Sequence, residues 1–126
     1  MTRLDNRTKK VAEMLADFHP ELSPSLTGII ADKYVLFPGF CDVHVHFREP
    51  GFSYKETIKS GSLAAAHGGY TAVCTMTNLN PVPDSMEHLE AQQGIIDRDA
   101  AIHIYPYAAI TVAQHGEQLA DMDALA

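Results

Sequence analysis

The hydrophobic and polar positions along this chain follow a strand period and a helix period in alternation. Apolar strand patterns cover residues 40–47 and 70–76, and a third at residues 101–110 is interrupted at Pro106. The two intervening segments carry apolar residues at helical spacing. The order strand, helix, strand, helix, strand predicts an α/β fold with parallel pairing and right-handed crossover connections.

Capping residues predict where the two intervening helices begin. Ser53 and Glu56 match a capping box, in which both side chains bind the first free backbone amides of a helix. Gly68 and Gly69 fit the C-terminal end of that helix. Residues 77–85 form a predicted loop, after which Asp84 is expected to cap the second helix.

The two ends of the chain carry no identifiable chemistry. Residues 6–18 have apolar positions at helical spacing and predict an amphipathic helix, followed by a loop. Residues 116–126 are predicted as a helix after the third strand. We therefore divide the chain into an N-terminal helix and linker, residues 1–29, and an α/β domain, residues 30–126.

Composition excludes several classes of function. The formal net charge of -7 and the lack of a Lys and Arg block argue against a nucleic-acid surface. No apolar run approaches the ~18 residues of a membrane span, and the polar N-terminus lacks a secretory signal, so we expect a cytoplasmic protein. Cys41 and Cys74 lie within predicted strands and are expected to be buried, reduced thiols.

The first strand carries an unusual set of polar side chains. Because alternate side chains of a strand share a face, the period separates the residues of this segment into two groups. One face receives Asp42, His44, His46 and Arg48, and the other receives Cys41, Val43, Val45 and Phe47. Pro50 and Gly51 then end the strand.

Two histidines at this spacing can reach a common ion. Neutral imidazole nitrogens bind zinc at about 2.0 to 2.1 Å, so His44 and His46 are candidate ligands. An exposed strand face produces the same spacing by chance, but an ordinary surface strand has no reason to end in two His and an Arg. The sequence therefore favours a metal site.

Arg48 and Asn78 are candidates for binding an anionic ligand. The planar guanidinium of Arg48 matches a carboxylate or phosphate in a bidentate geometry. A salt bridge to Glu49 or another local acid is the alternative, although Glu49, as the neighbouring strand residue, points to the opposite face. Asn78 and Asn80 follow the second strand, at the end where parallel α/β sheets bind ligands, and a simple turn role is equally compatible with them.

The other five histidines lack mutual spacing and are expected to be structural or exposed. Only His103 lies on a predicted strand, near its beginning and away from the functional end.

These motifs resemble dihydroorotases of the amidohydrolase superfamily. The resemblance rests on residues 37–51, FPGFCDVHVHFREPG, with YKE at 54–56, GGYT at 68–71 and MTNLNP at 76–81. It extends more loosely from residue 107 to 122 and covers the chain from about residue 30 to its C-terminus.

The resemblance implies a (β/α) barrel of TIM type that interconverts N-carbamoyl-L-aspartate and L-dihydroorotate with zinc. His44 and His46 match the zinc ligands of the first strand, and Arg48 and Asn78 match the positions that hold the substrate carboxylate. Allantoinase, a related cyclic-amide hydrolase, typically has Asn where Arg48 stands, so Arg48 favours dihydroorotase. The implied mechanism is attack by a zinc-activated hydroxide while a carboxylate relays the proton.

The chain departs from the family in three respects. Thr77 replaces the usual Pro, and the first ~25 residues do not resemble the family's β-rich opening. A complete barrel takes about 250 residues, whereas this chain supplies roughly three βα units. The family's bridging ligand, later histidines and catalytic Asp would lie beyond Ala126, so we expect an N-terminal fragment with no catalytic residue of its own.

For such a fragment we expect weak or absent zinc binding, no turnover, and self-association or homodimerisation through open sheet edges. Two alternatives remain. One is a non-catalytic assembly module, and the other is a different amidohydrolase such as a hydantoinase or allantoinase.

Overall fold

A three-stranded parallel sheet organises residues 38–126, the part of the chain that the computed structural model describes. The strands β1 (Phe40–Val45), β2 (Tyr70–Thr75) and β3 (His103–Pro106) lie side by side in that order. Both neighbouring pairs are parallel, which confirms the predicted α/β alternation. The predicted helix at residues 6–18 lies outside the described residues, and the boundary after residue 29 stays a prediction.

Two helices connect the strands. Helix α1 (Ile58–His67) joins β1 to β2, and α2 (Met86–Asp99) joins β2 to β3. Each buries part of one side on the sheet. The hydrophobic core combines one residue after β1 with residues from α1, β2, α2 and β3, namely Phe47, Ile58, Val73, Ile96 and Ile104. Apolar burial of this kind is the main stabilising term of a small domain.

Helix α1 begins four residues later than predicted. The N-cap is Thr57, whose hydroxyl accepts the Ser60 N–H at 3.0 Å in a reciprocal capping box. Ser53 lies instead in a turn, where the Lys55 N–H donates to the Phe52 carbonyl at 2.8 Å. The prediction of a Ser53 cap was wrong because a local turn competes for the same backbone groups.

Helix α2 is capped by Ser85 and not by Asp84. The Ser85 hydroxyl accepts the His88 N–H at 3.4 Å. Asp84 lies one residue earlier and binds other groups, which are described with the site below.

The C-terminal segment contains much less helix than predicted. The third strand ends at Pro106 and does not reach residue 110. After it come a 3₁₀ turn (Val112–Gln114) and a four-residue helix α3 (Met122–Leu125), where one helix over residues 116–126 was expected. An isolated bridge between Thr111 and Leu119 occupies the intervening backbone, which prevents a continuous helix.

A β-bulge changes the faces of β1. Cys41 pairs with Ala72 and Asp42 with Val73, but the next pair is Val45 with Thr75, so β1 holds one extra residue there. Residues paired across parallel strands share a side of the sheet. Asp42 therefore lies on the side of buried Val73, and the prediction that it shares a face with His44 and His46 was wrong.

The cysteines are less buried than expected. Both thiols are free, but Cys41 is exposed and Cys74 is half-buried. The reason is that the helices α1 and α2 cover one side of the sheet, and the paired positions place Cys41 on the other side.

Candidate metal and anion site

His44 and His46 lie at the carboxyl end of β1. His44 is the last but one residue of the strand, and His46 directly follows it. Both side chains are exposed, and their ring centroids are 5.2 Å apart with an interplanar angle of 72°. The predicted pair of imidazoles is therefore brought together at the carboxyl end of the sheet. The Asp42 carboxylate contributes to this geometry by accepting the His44 N–H at 2.9 Å.

A hydrogen bond joins His46 to the loop after β2. The Nδ1 atom of His46 is 2.9 Å from the Oδ1 atom of Asn78. An amide oxygen only accepts, so Nδ1 carries a proton, and in the neutral form of the ring Nε2 has the lone pair. Ligating histidines in metal sites commonly donate their second N–H in this way. The Asn78 NH₂ group is a donor that a carboxylate could accept from.

The turn after β1 and the loop after β2 touch closely. We call residues 76–84 the Asn78 loop. The Asn80 N–H donates to the Pro50 carbonyl, and the Met76 N–H donates to the Val45 carbonyl at 2.9 Å. Gly51 has φ +94°, and a Cβ there would lie 2.3 Å from the Asn80 carbonyl oxygen. Only glycine satisfies both the backbone conformation and this approach.

Arg48 is half-buried in that same turn. Its carbonyl accepts the Phe52 N–H at 2.8 Å. Glu49, the predicted competing partner, is engaged elsewhere, because its Oε2 atom accepts the Ile58 N–H at 2.9 Å at the start of α1. The ion pairs within residues 38–126 are Asp84 with His88 and Arg98 with Asp99. The guanidinium therefore does not pair with Glu49.

A second set of contacts braces the Asn78 loop from the side of the C-terminal segment. The Asp84 Oδ2 atom accepts the Ala113 N–H at 2.7 Å, and Oδ1 lies 2.8 Å from His88 Nδ1. The Ala113 amide, together with His88, holds the pKa of the Asp84 carboxyl below its ordinary value. The hydrogen bond that the Asp84 carboxylate accepts from the His88 ring raises the pKa of His88.

Two further contacts complete this brace. The Gln114 side-chain amide donates to the Thr77 hydroxyl, and the Ala109 N–H donates to the Pro83 carbonyl at 2.8 Å. The sequence prediction did not find these contacts. The spacing of Asp84 and His88 by four residues was the only local signal, because the Gln114 contact joins positions 37 residues apart.

On β3, His103 lies at the first position, as predicted, and stacks on Tyr105 with centroids 6.5 Å apart. Tyr107 follows the strand, and the neighbouring Cys74 thiol raises the pKa of the phenol. His103 is thus at the opposite end of the sheet from the imidazole pair.

The imidazole pair supplies two candidate metal ligands. No group of three or more His, Cys, Asp or Glu side chains that could hold an ion occurs within residues 38–126. Structural and catalytic zinc sites use three or four protein ligands. The two imidazoles fit part of such a site.

No helix among the described residues is both long and apolar enough to cross a membrane.

Parallel strands that alternate with helices place this chain among the α/β proteins, a class in which ligand sites form beyond the carboxyl ends of the strands. A family model described as dihydro-orotase-like matches residues 33–126. The chain is 51% identical over 118 residues to the dihydroorotase of Staphylococcus aureus strain MRSA252, covering 92% of this chain and 27% of the relative.

Two other dihydroorotases show the same pattern. The protein of Fusobacterium nucleatum is 48% identical over 122 residues, covering 97% of this chain and 27% of the relative. The protein of Enterococcus faecalis is 54% identical over 95 residues, covering 75% of this chain and 22% of the relative. This chain belongs to the dihydroorotase-like family, and it spans about a quarter of the length of these relatives.

Proposed function

We propose that this chain forms the part of a dihydroorotase that holds the metal and the substrate carboxylate. The reaction is the reversible hydrolysis of L-dihydroorotate to N-carbamoyl-L-aspartate, within a (β/α) barrel of TIM type. The observation that carries the proposal is the hydrogen bond between His46 and Asn78. It joins a candidate metal ligand, which follows β1, to a candidate hydrogen-bond donor for the substrate carboxylate, which follows β2.

His44 and His46 would hold zinc, and the ion would supply an activated water and polarise the ring amide carbonyl. The fit is supported by the protonation of His46. Because Nδ1 donates to Asn78, the lone pair of Nε2 is directed away from that bond and is free to bind a cation. The Asp42 carboxylate holds the His44 backbone, which fixes the start of the same ligand pair.

Arg48 and Asn78 would bind the carboxylate of the substrate. The Asn78 NH₂ group donates one hydrogen bond, and the Arg48 guanidinium offers a bidentate contact and a full positive charge. Binding the substrate carboxylate at the carboxyl end of the strands would orient the substrate for reaction. The engagement of Glu49 with α1 supports this role, since the nearest acidic side chain in the sequence does not neutralise Arg48.

The 126-residue chain alone is proposed to be inactive and to self-associate. Two imidazoles are fewer ligands than zinc sites use, and within residues 38–126 the strands β1 and β3 each pair on one side only. Unpaired strand edges favour association with another chain. Sedimentation analysis of the purified chain should therefore give a mass above that of a monomer.

The test is a chimera in which this chain replaces the 118 matched residues of the S. aureus dihydroorotase. The proposal predicts zinc-dependent hydrolysis of dihydroorotate by the chimera and none by the 126-residue chain supplied with zinc. Arg48→Ala should abolish most of this activity. Cyclic amides without a carboxylate serve as the competing substrates.

A folded, zinc-loaded chimera that prefers hydantoin or allantoin to dihydroorotate would contradict the substrate assignment. Strong turnover by the 126-residue chain would contradict the proposed incompleteness of its site. A chimera that assembles normally but hydrolyses none of these amides would favour the assembly module.

A further inference from the structure

We propose that Gln114 is a positioning residue for the substrate carboxylate site, acting through Thr77 on Asn78. The inference rests on the proposed function, because it assigns a consequence to the placement of Asn78. It concerns a side chain that touches neither the imidazole pair nor Arg48 and that lies 36 positions after Asn78 in the sequence.

The contact that carries the inference is the hydrogen bond from the Gln114 amide to the Thr77 hydroxyl. Thr77 is 9% exposed and directly precedes Asn78. Its carbonyl accepts the Leu79 N–H at 2.9 Å, so the turn that presents the Asn78 side chain is closed on Thr77. Fixing Thr77 therefore fixes the base of the Asn78 side chain.

Gln114 reaches Thr77 because its own backbone adopts an uncommon conformation. Ala113 and Gln114 have φ values of 51° and 61°, in the left-handed region that residues with a Cβ seldom occupy. Such strain persists only where surrounding contacts hold it. The Asp84 carboxylate supplies one such contact through the Ala113 N–H, and Thr111 supplies another by accepting the Gln114 N–H at 3.0 Å.

Two other contacts that brace the Asn78 loop near the site come from the backbone. Met76 donates to Val45, and Asn80 donates to Pro50, through main-chain groups that every sequence offers. The Gln114 contact is a side-chain bond to the residue next to Asn78. Asn78 in turn holds His46. Placement of Asn78, the proposed donor to the substrate carboxylate, thus depends in part on one side chain from a distant loop.

The experiment uses the chimera described above and compares Gln114→Ala with Gln118→Ala. Gln118 is an exposed glutamine of the same segment and serves as the matched control. We expect Gln114→Ala to raise the KM for dihydroorotate about tenfold, which corresponds to about 1.4 kcal/mol. The zinc content should stay at the wild-type level, kcat should change by less than about threefold, and Gln118→Ala should leave all three unchanged.

Two further variants separate positioning from a general loss of structure. Gln114→Glu should keep most of the affinity, because the Thr77 hydroxyl can donate to a carboxylate and restore the bond in reverse. Thr77→Val should raise KM as Gln114→Ala does, and the double variant should be no worse than either single one. Additive effects would overturn the proposed route through Thr77.

Asn78→Ala distinguishes the two levels of the proposal. If Asn78→Ala raises KM and Gln114→Ala does not, the positioning role is overturned and the proposed function stands. If the chimera lacks dihydroorotase activity, or if Asn78→Ala has no effect, the proposed function fails and the role of Gln114 fails with it.

Discussion

The two faces of the sheet differ in how the described chain covers them. On the helix side, Ile58, Val73 and Thr75 are at most 1% exposed. On the other side the imidazoles and Cys41 are exposed, and Tyr105 exposes 58% of its surface. The covered face contributes the stability of the unit, and the uncovered face carries the groups with chemistry. Substitutions on the covered face should therefore change stability, and substitutions on the uncovered face should change ligand binding.

The largest expected effect is on stability. Ile58→Ala should lower the free energy of unfolding by about 2–5 kcal/mol, because it leaves a cavity in a fully buried site. Val43→Ala, at a position 62% exposed, should change it by less than about 0.5 kcal/mol. Urea unfolding of both variants measures the difference. Equal losses would show that the outer face also supports the fold.

The next effect is on metal affinity. Asn78→Ala removes the acceptor of the His46 N–H and should weaken zinc binding by the chimera about 10- to 100-fold. His103→Ala is the matched control on the same sheet, since His103 lies at the far end of β3 and should not alter the affinity. Competition with a zinc chelator gives both values. An unchanged zinc affinity in the Asn78→Ala chimera would contradict the proposed contribution of the Asn78 loop to the metal site.

A pair of helix glycines sharpens the contrast in packing. A Cβ at Gly61 would lie 2.5 Å from the Phe47 ring, so Gly61→Ala should destabilise the fold by about 1–3 kcal/mol. A Cβ at Gly94 would meet no atom within 4 Å outside its own stretch of helix, and Gly94→Ala should stabilise the helix by up to about 1 kcal/mol. Thermal unfolding distinguishes the two, and a common sign would contradict the packing of Phe47 on α1.

The smallest effect is a pH dependence of the brace on the Asn78 loop. The pKa of Asp84 lies below 3.8, so its contribution to stability is present above that pH and is lost as the pH falls through the lowered pKa. The pKa of His88 lies above 6.5, so its contribution is fully present below 6.5 and is lost as the pH rises through the raised pKa. The Asp84–His88 pair therefore contributes most to the stability of the fold between pH 3.8 and pH 6.5.

His88→Ala should then cost about 0.5–1 kcal/mol near pH 5.5 and less above pH 8, a small value because the imidazole is partly exposed. Arg98→Ala removes an ion pair with Asp99 whose members do not titrate between pH 5 and 8, so its effect should be constant over that range. If the loss of unfolding free energy depended on pH in the same way for both variants, the charge pair of His88 with Asp84 would be contradicted.

The sequence predicted the features that follow from the local period of apolar residues. It did not predict the features that depend on how strands and loops pair. The alternation in residues 40–47 located β1 and the His44 and His46 pair. The bulge that moves Asp42 to the other face depends on the register with β2, which one strand does not encode. Likewise the start of α1 depended on a competing turn at residues 52–55, and Thr57 became the cap.

The same division holds at the candidate site. Asn78 was predicted from its place after a parallel strand, which is a general property of α/β sheets. The contacts of Asp84 with Ala113 and of Gln114 with Thr77 join loops 29 and 37 residues apart, and no period links such positions. The C-terminal helix was overpredicted because the bridge of Thr111 to Leu119 offers its backbone another partner.

The most direct test of the account is a crystal structure of the chimera with zinc bound. The account predicts that the Nε2 atoms of His44 and His46 bind one ion, each at about 2.0 to 2.1 Å, while His46 Nδ1 stays bonded to Asn78. An ion held by other residues, or two imidazoles turned away from a common site, would contradict it.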